Sequence, residues 1–414
     1  MAGGTRLAAA SRTSVPGSAP SSGWFQVARG FCNAILLIPV LSMDVSMMAD
    51  WNRNGGDRFR IGRNIVGRKL ADMTNLVTGG AGFIGSHLVQ LLRERGESVR
   101  VLDLRAPSVP VSGAEYLQGS ITDGELVRAA TDGCRRVFHL AAHAGLWTRD
   151  KREFTSINVL GTRNVLEAAR DAGVETVVHT STESILIAMG RGRAPQRVDE
   201  ETTCTEDEMA GPYCVGKLLA EREAHAAFEK YGQRVIVCNP TVPVGPGDHW
   251  LTPPSRMLLG FLNRRYPAYM PTTLNMVDAR DVALGHLLAA ERGHPGGRYI
   301  LGAHDIQLAD LLAQLQRLSG VQMPRRKVPY RLAWLVARVS EWLADHVTHR
   351  PPSAPLAGVR LGGIPVQFDN RRTRDALGWR PRPLAESLRD AIDDYLARGL
   401  LVMPDPVQQP KRAR

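Results

Sequence analysis

A doubly wound parallel α/β sheet with a smaller C-terminal lobe is the fold this sequence predicts, and three observations predict it. Short apolar runs alternate with helical periodicity from residue 73 to about 240. A glycine-rich turn stands at the first strand–helix junction. The alternation weakens after Pro240, where Pro243, Pro246, Pro253 and Pro254 crowd into loops. Strands separated by helices need crossover connections, which pair strands in parallel and cover both sheet faces.

Taken in order, residues 75–78 form an apolar run and 83–95 carry helical periodicity. Runs at 98–102, 115–118, 136–140, 175–180 and 234–239 supply further strands. Helices are expected over 154–172 and 213–231, then near 254–264, 278–291, 331–347 and 383–398. These divide the chain into a nucleotide-binding domain at 73–240 and a mainly substrate-binding lobe at 241–402. A basic tail follows at 403–414. Residues 1–72 have a different texture, with no acid before Asp44 and abundant Ser, Ala, Gly and Pro. A disordered or spurious extension is the first reading, since Met73 directly precedes the first strand. A targeting segment and a structured arm are the others.

The 414 residues are 43% hydrophobic and 22% charged, which suits a globular chain and excludes a disordered or collagen-like one. The net charge of +11 raises the question of nucleic acid, but its distribution argues against that partner. Residues 1–72 hold nine Lys/Arg against four Asp/Glu, and Lys411, Arg412 and Arg414 add three more, so the body is nearly balanced. No apolar run approaches the roughly 20 residues of a membrane span. The five cysteines (Cys32, Cys134, Cys204, Cys214, Cys238) are widely spaced without a CxxC, as expected of free thiols in a reducing cytoplasm. No metal-ligand spacing is present.

Residues 78–85 read TGGAGFIG, with Gly79, Gly82 and Gly85 spaced as G-x-x-G-x-x-G. Such a turn needs backbone freedom and close approach to a pyrophosphate. The helix N-terminus behind it offers unpaired N–H groups and partial positive charge. The spacing alone is weak, but its place after the first strand makes it a Rossmann fingerprint. Asp103, 18 residues beyond Gly85, suits a ribose diol and repels a 2′-phosphate, which favours NAD. Arg105 could balance a phosphate and admit NADP.

Tyr213 and Lys217 form Y-x-x-x-K on a predicted helix, where residues four apart share a face. A phenol near pKa 10 is a poor acid or base at neutral pH, and a neighbouring ammonium favours its ionised form. The strand end HTSTES (179–184) adds hydroxyls from Thr180, Ser181, Thr182 and Ser184. Thr182 is the first choice to orient a reacting oxygen, and Ser181 the second.

As a set these residues resemble a known family. TGGAGFIG, Asp103, HLAA at 139–142, Asn158 of INVLGT, TST at 180–182, YCVGK at 213–217 and NPTVPVGPGD at 239–248 are similar to the extended short-chain dehydrogenase/reductases. That group is the NAD-dependent epimerase/dehydratase family. ALGWRPRPLAESLRDAI at 376–392 resembles its closing helix, so the likeness spans 73 to about 400. CNPTVPVGPGD lies nearer to dihydroflavonol reductases and 3β-hydroxysteroid dehydrogenases than to sugar-nucleotide epimerases, which usually carry an arginine-bearing segment there. Residues 141–169 are similar to hopanoid-associated sugar epimerases. The resemblance implies a catalytic Tyr213 and Lys217 with Thr182 assisting. It implies cofactor contacts at Gly79, Gly82, Phe83, Ile84, Gly85, Asp103, Ile121, Leu140, Ala141, Ala142, Asn158, Thr180, Lys217 and Pro240. The family often has an acid before its adenine contact. Here Ser120 precedes Ile121, so that contact is weaker or uses the Ser120 hydroxyl. A homodimer through 154–172 and 211–231 is implied as well.

On the substrate side, His143 and Trp147 follow the fourth strand, and His249 and Trp250 lie in the loop after the sixth. The 331–347 helix carries an apolar stripe of Leu332, Leu335, Val336, Val339 and Leu343. Core packing is the simplest reading of that stripe. A lid over a lipid-like substrate and a membrane-surface helix are the sharper ones. The expected function is an NAD(P)-dependent oxidoreductase that interconverts a secondary alcohol and a ketone on a bulky steroid-, terpenoid- or flavonoid-like substrate. A nucleotide-sugar epimerase or dehydratase that retains its NAD is the alternative. A nucleotide-sensing protein without catalysis is the third, and the intact Tyr213/Lys217 pair argues against it.

Overall fold

The computed structural model describes residues 74–192 and 194–402, so the expectations for 1–72 and 403–414 lie outside it. The central sheet has seven strands: β1 (Thr74–Thr78), β2 (Val99–Asp103), β3 (Ala114–Gln118), β4 (Cys134–His139), β5 (Thr176–Thr180), β6 (Val235–Pro240) and β7 (Arg298–Leu301). All pair in parallel, in the order β7-β6-β5-β4-β1-β2-β3. The chain winds outward in both directions from β1 and β4. Their C-terminal ends therefore flank the crevice where open α/β sheets bind ligands.

Helices α1 (Phe83–Glu94), α2 (Gly124–Thr131), α3 (Arg152–Thr155), α4 (Gly161–Asp171) and α5 (Pro212–Tyr231) connect the strands, with a π turn at Ser156–Leu160 joining α3 to α4. Further along lie α6 (Pro253–Leu262), α7 (Ala279–Arg292), α8 (Leu308–Ser319), α9 (Tyr330–Leu343), α10 (Leu356–Gly362), α11 (Arg371–Leu377) and α12 (Leu384–Ala397). Successive strand residues point to opposite faces. Val77, Val101 and Phe138 accordingly pack with Leu88, Val89 and Leu92 of α1 and Leu287 of α7. Leu76, Leu102 and Val137 pack on the other face with Val127 of α2, Val165 of α4 and Ala224 of α5. Each such fully buried aliphatic side chain contributes about 1.5–3 kcal/mol.

Two features depart from the sequence reading. The sheet gains β7 from beyond residue 240, because α7 returns the chain against α1 and lays Arg298–Leu301 beside β6. Arg298–Leu301 lies beyond Pro240, where the strand–helix alternation weakens, so it does not stand out as a strand in the sequence. Conversely, Gln196–Val198, from before residue 240, pairs with Val366–Phe368 in the C-terminal part. The rest of that lobe closes around Met257, Phe261, Met276, Leu311, Leu315, Leu388 and Tyr395.

The core reading of the 331–347 stripe is overturned. Within α9 only Ala333 and Ala337 are buried. Leu332, Leu335, Val339 and Leu343 are exposed, and Val336 is half-buried. The helix rests on Met270, Val328 and Val359 through its small residues, so its large ones face away.

Candidate active site

The glycine turn is built by close backbone contact. Gly79 has φ +73°, and a Cβ there would stand 2.6 Å from the backbone nitrogen of Ala141, just past β4. A Cβ on Gly85 would stand 2.1 Å from the Gly79 carbonyl oxygen, and one on Gly82 3.1 Å from the same atom. No side chain caps the start of α1, so its first N–H groups face the crevice. Phe83 is buried and Ile84 half-buried behind the turn. The Thr78 hydroxyl bonds His139 Nδ1 at 2.7 Å and accepts from Ala141 N at 3.3 Å, which ties β1 to the Leu140–Ala142 segment. Asn158, buried in the π turn, accepts from His143 N at 2.7 Å and donates to His143 O at 3.3 Å. A π bulge is a common device at functional sites.

Asp103 accepts hydrogen bonds from Ala81 N and Arg105 N, both at 3.0 Å. Burial pushes its carboxyl upward, and those donors and the Arg105 guanidinium pull it back. The Arg105 side chain lies 4.5 Å over the Trp250 ring, whose Nε1 donates to Ala81 O at 3.0 Å. Trp250, read from the sequence as a substrate contact, thus stands at the glycine turn. Ile121 is buried against the Cα of Gly161 in α4, and Pro240 is buried at the end of β6.

Tyr213, Lys217 and Thr182 meet at the C-terminal end of β5. Pro212 at the first position starts α5, which carries Tyr213 and Lys217 one turn apart. Burial pushes the Tyr213 pKa up from the phenol value, and the nearby Thr182 side chain pulls it back. Lys217 Nζ donates to Thr180 O at 2.7 Å. Burial brings the ammonium down to about 8, while Glu221 pulls it up. Thr182 caps a short 3-10 turn (Glu183–Ile185) and donates to Glu183 Oε2 at 2.9 Å. The Thr180 hydroxyl donates to His286 Nε2 at 2.8 Å, since His286 Nδ1 is committed to Val282 O.

His143 comes near this cluster through Phe154. Its ring meets Phe154 edge-on at 4.7 Å, and Phe154 meets Tyr213 at 6.0 Å. Its Nδ1 is buried without a partner, and burial lowers its pKa. Trp147 is buried elsewhere in that loop, its Nε1 donating to Asp345 at 2.7 Å. A surface hollow of about 560 Å³ lined by His304, Asp305, Gln307 and Asp310 contains none of the residues named for this site. Among the described residues no three His, Cys, Asp or Glu side chains are grouped to hold a metal.

Three site residues were missed in the sequence. Glu183 touches Thr182, and burial lifts its carboxyl to about 7. Glu221, one turn beyond Lys217, bonds Arg298 at 2.5 Å and Asn239 at 2.9 Å. Asn239 in turn donates to Thr182 O at 3.1 Å. The Y-x-x-x-K-x-x-x-E stripe was the available signal for Glu221, and adjacency to Thr182 the signal for Glu183.

A glycine-cradled crevice at the strand reversal, with a Tyr–Lys helix and a strand-end threonine beside it, defines a Rossmann-type dinucleotide oxidoreductase site. The chain belongs to the NAD dependent epimerase/dehydratase family, whose model matches residues 75–302. It is 39% identical over 331 residues to a Synechocystis sp. protein provisionally named a dihydroflavonol 4-reductase, covering 78% of this chain and 94% of that one. It is 31% identical over 333 residues to sterol demethylase protein B of Methylococcus capsulatus, covering 80% of this chain and 100% of that one. The crystal structure of gox2253 is 35% identical and superposes with a TM-score of 0.69 over 80% of this chain and 100% of that one.

Proposed function

We propose that the chain is an NAD(P)-dependent oxidoreductase that interconverts a ketone and a secondary alcohol on a bulky, mainly apolar substrate. The Lys217 Nζ hydrogen bond to Thr180 O carries this reading, because it pins the helix that bears Tyr213 and Lys217 to the strand end that bears Thr182. The Gly79–Gly85 turn and Asp103 fit a dinucleotide: each glycine Cβ would fill the cradle, and the carboxylate sits where a ribose diol would bond. When bound, the nicotinamide ring supplies or takes the hydride. In the reducing direction Tyr213 gives its proton to the carbonyl oxygen, and burial keeps the phenol in the neutral form that donates. Thr182 holds the same oxygen. Lys217 keeps a positive charge behind the phenolate left after transfer and offers an N–H to the cofactor ribose. We assign His143, which nears Tyr213 through Phe154, to the substrate side.

Relatives support a bulky substrate. Besides the sterol demethylase protein, a 4-hydroxy-2-methyl-3-oxo-4-farnesyl-3,4-dihydroquinoline-1-oxide ketoreductase of Stigmatella aurantiaca is 31% identical over 344 residues. The buried free thiols of Cys134, Cys204, Cys214 and Cys238 suit a cytoplasmic setting. The neighbouring helices α4 and α5 suit a homodimer face. One observation favours epimerisation or dehydration with retained NAD: Glu183 supplies a second proton carrier beside Thr182.

The test is Tyr213→Phe, assayed with NADH, NADPH and a panel of steroid, terpenoid and flavonoid ketones. Turnover is expected to fall by about 10²–10⁴ with cofactor affinity unchanged. Undiminished turnover in the variant refutes the assignment. NAD retained through purification, with no net NADH consumed, selects the second reading.

A further inference from the structure

Helix α9 and the π turn after it (Ala344–Thr348) turn their bulk away from the protein. Ala333, Ala337 and Ala344 are the buried residues. On the opposite arc Leu332, Leu335, Val339, Trp342 and Val347 are 45%, 53%, 50%, 56% and 59% exposed. Their spacing keeps them on one face, a ribbon about 20 Å long at 1.5 Å per residue. Single exposed apolar residues need no explanation, but a contiguous stripe of large ones marks a contact surface.

Charge identifies what the surface meets. Residues 325–350 hold six Lys/Arg (Arg325, Arg326, Lys327, Arg331, Arg338, Arg350) and two acids. Both acids are engaged with the protein. Glu341 accepts from Leu356 N at 2.7 Å, and Asp345 accepts from Trp147 Nε1 at 2.7 Å and Lys151 Nζ at 3.1 Å. All six basic side chains are exposed, and none is ion-paired among the described residues. Helical geometry sets Arg331 and Arg338 along one edge of the apolar arc. A second copy of the chain would bring these basic rims together, and residues 1–72 carry a surplus of positive charge themselves, so both would meet repulsion.

We propose that α9 docks the protein on an anionic lipid bilayer, lying in the interface with its apolar arc at the headgroup–acyl boundary and its arginines on lipid phosphates. Such helices combine apolar burial with attraction to anionic headgroups. The helix lies flat: among the described residues none is long and apolar enough to cross a membrane. Asp345 fastens this element to the loop that carries Trp147 and His143, so the lipid surface adjoins the substrate side of the site. The proposal stands whether the reaction is ketone reduction or epimerisation.

The test is vesicle flotation of the full chain with phosphatidylcholine vesicles, with and without phosphatidylglycerol, at low and high salt. Binding is expected only with phosphatidylglycerol and is expected to weaken with salt. Arg331→Gln with Arg338→Gln should weaken it about 30-fold, since each basic residue near the surface is worth about fivefold. Leu335→Glu with Val339→Glu should weaken it at least about tenfold by removing apolar insertion. Thermal melting and cofactor affinity of both variants should match the parent. No flotation by the parent, or unchanged flotation by either variant, overturns the proposal. So does a lipid-free dimer that the Leu335→Glu/Val339→Glu variant dissolves, which makes a second copy the occupant.

Discussion

Helices α1 and α9 look alike as sequences and behave as opposites in the fold. Both carry an apolar stripe at helical spacing. α1 buries Phe83, Leu88, Val89 and Leu92 against the sheet, and its first turn shapes the nucleotide cradle. α9 buries two alanines and leaves Leu332, Leu335, Val339 and Trp342 outside. The lesson is that periodicity locates an apolar face without naming the medium that face meets. The size of the residues on the other face is the better indicator. Where alanines stand opposite leucines, the protein has packed the side that allows close approach, and the larger side is left for another partner.

The sharpest way to break this contrast is at the cradle. Gly85→Ala adds a single carbon 2.1 Å from the Gly79 carbonyl oxygen, and backbone on both sides must move. A loss of about 4 kcal/mol in unfolding free energy is expected, with loss of dinucleotide affinity. Denaturant melts and NADH fluorescence titration read both. A variant that melts and binds like the parent means the turn is looser than its contacts imply.

The same contrast explains what the sequence yields. The phosphate turn was legible because its chemistry is local: glycines at fixed offsets, an apolar strand before and a helix after. Tyr213, Lys217 and Thr182 were legible as candidates because a four-residue spacing and a strand end are also local. Asn239 and Arg298 were not, since they converge on Glu221 from β6 and β7 only once the sheet forms. Trp250 was placed with the substrate because its loop follows β6. The structure sets its ring against Arg105 and Ala81, across 169 residues of sequence from the latter. Strand β7 escaped because it lies beyond Pro240, outside the regular strand–helix alternation, and the exposure of α9 because burial is not a property of a stripe alone.

A smaller effect tests whether the site's interior holds a strained charge. Burial lifts Glu183 in the folded chain from its ordinary 4.5 to about 7. Between those values the folded state holds the proton more tightly than the unfolded one, so stability falls as pH rises through that window. Glu183→Gln removes the titration. The variant should track the parent near pH 4.5 and exceed it above pH 7 by about 1–3 kcal/mol, because a carboxylate no longer has to be buried. Parallel stability curves for the two proteins across that range sink the assignment.

The smallest expected effect is the most informative about α9. Leu335→Ser removes a large apolar side chain that is 53% exposed and leaves the alanine face intact. In lipid-free buffer the change should stay within about 0.5 kcal/mol, the range of surface substitutions. Leu88→Ala, the matched deletion in α1, should cost about 2–5 kcal/mol because Leu88 is fully buried. Urea melts of the two variants beside the parent decide the matter. A cost at Leu335 approaching that at Leu88 means a protein surface covers α9 in solution, and the stripe is core after all. A negligible cost leaves its bulk without a role in folding, so its contribution must come from an external apolar phase.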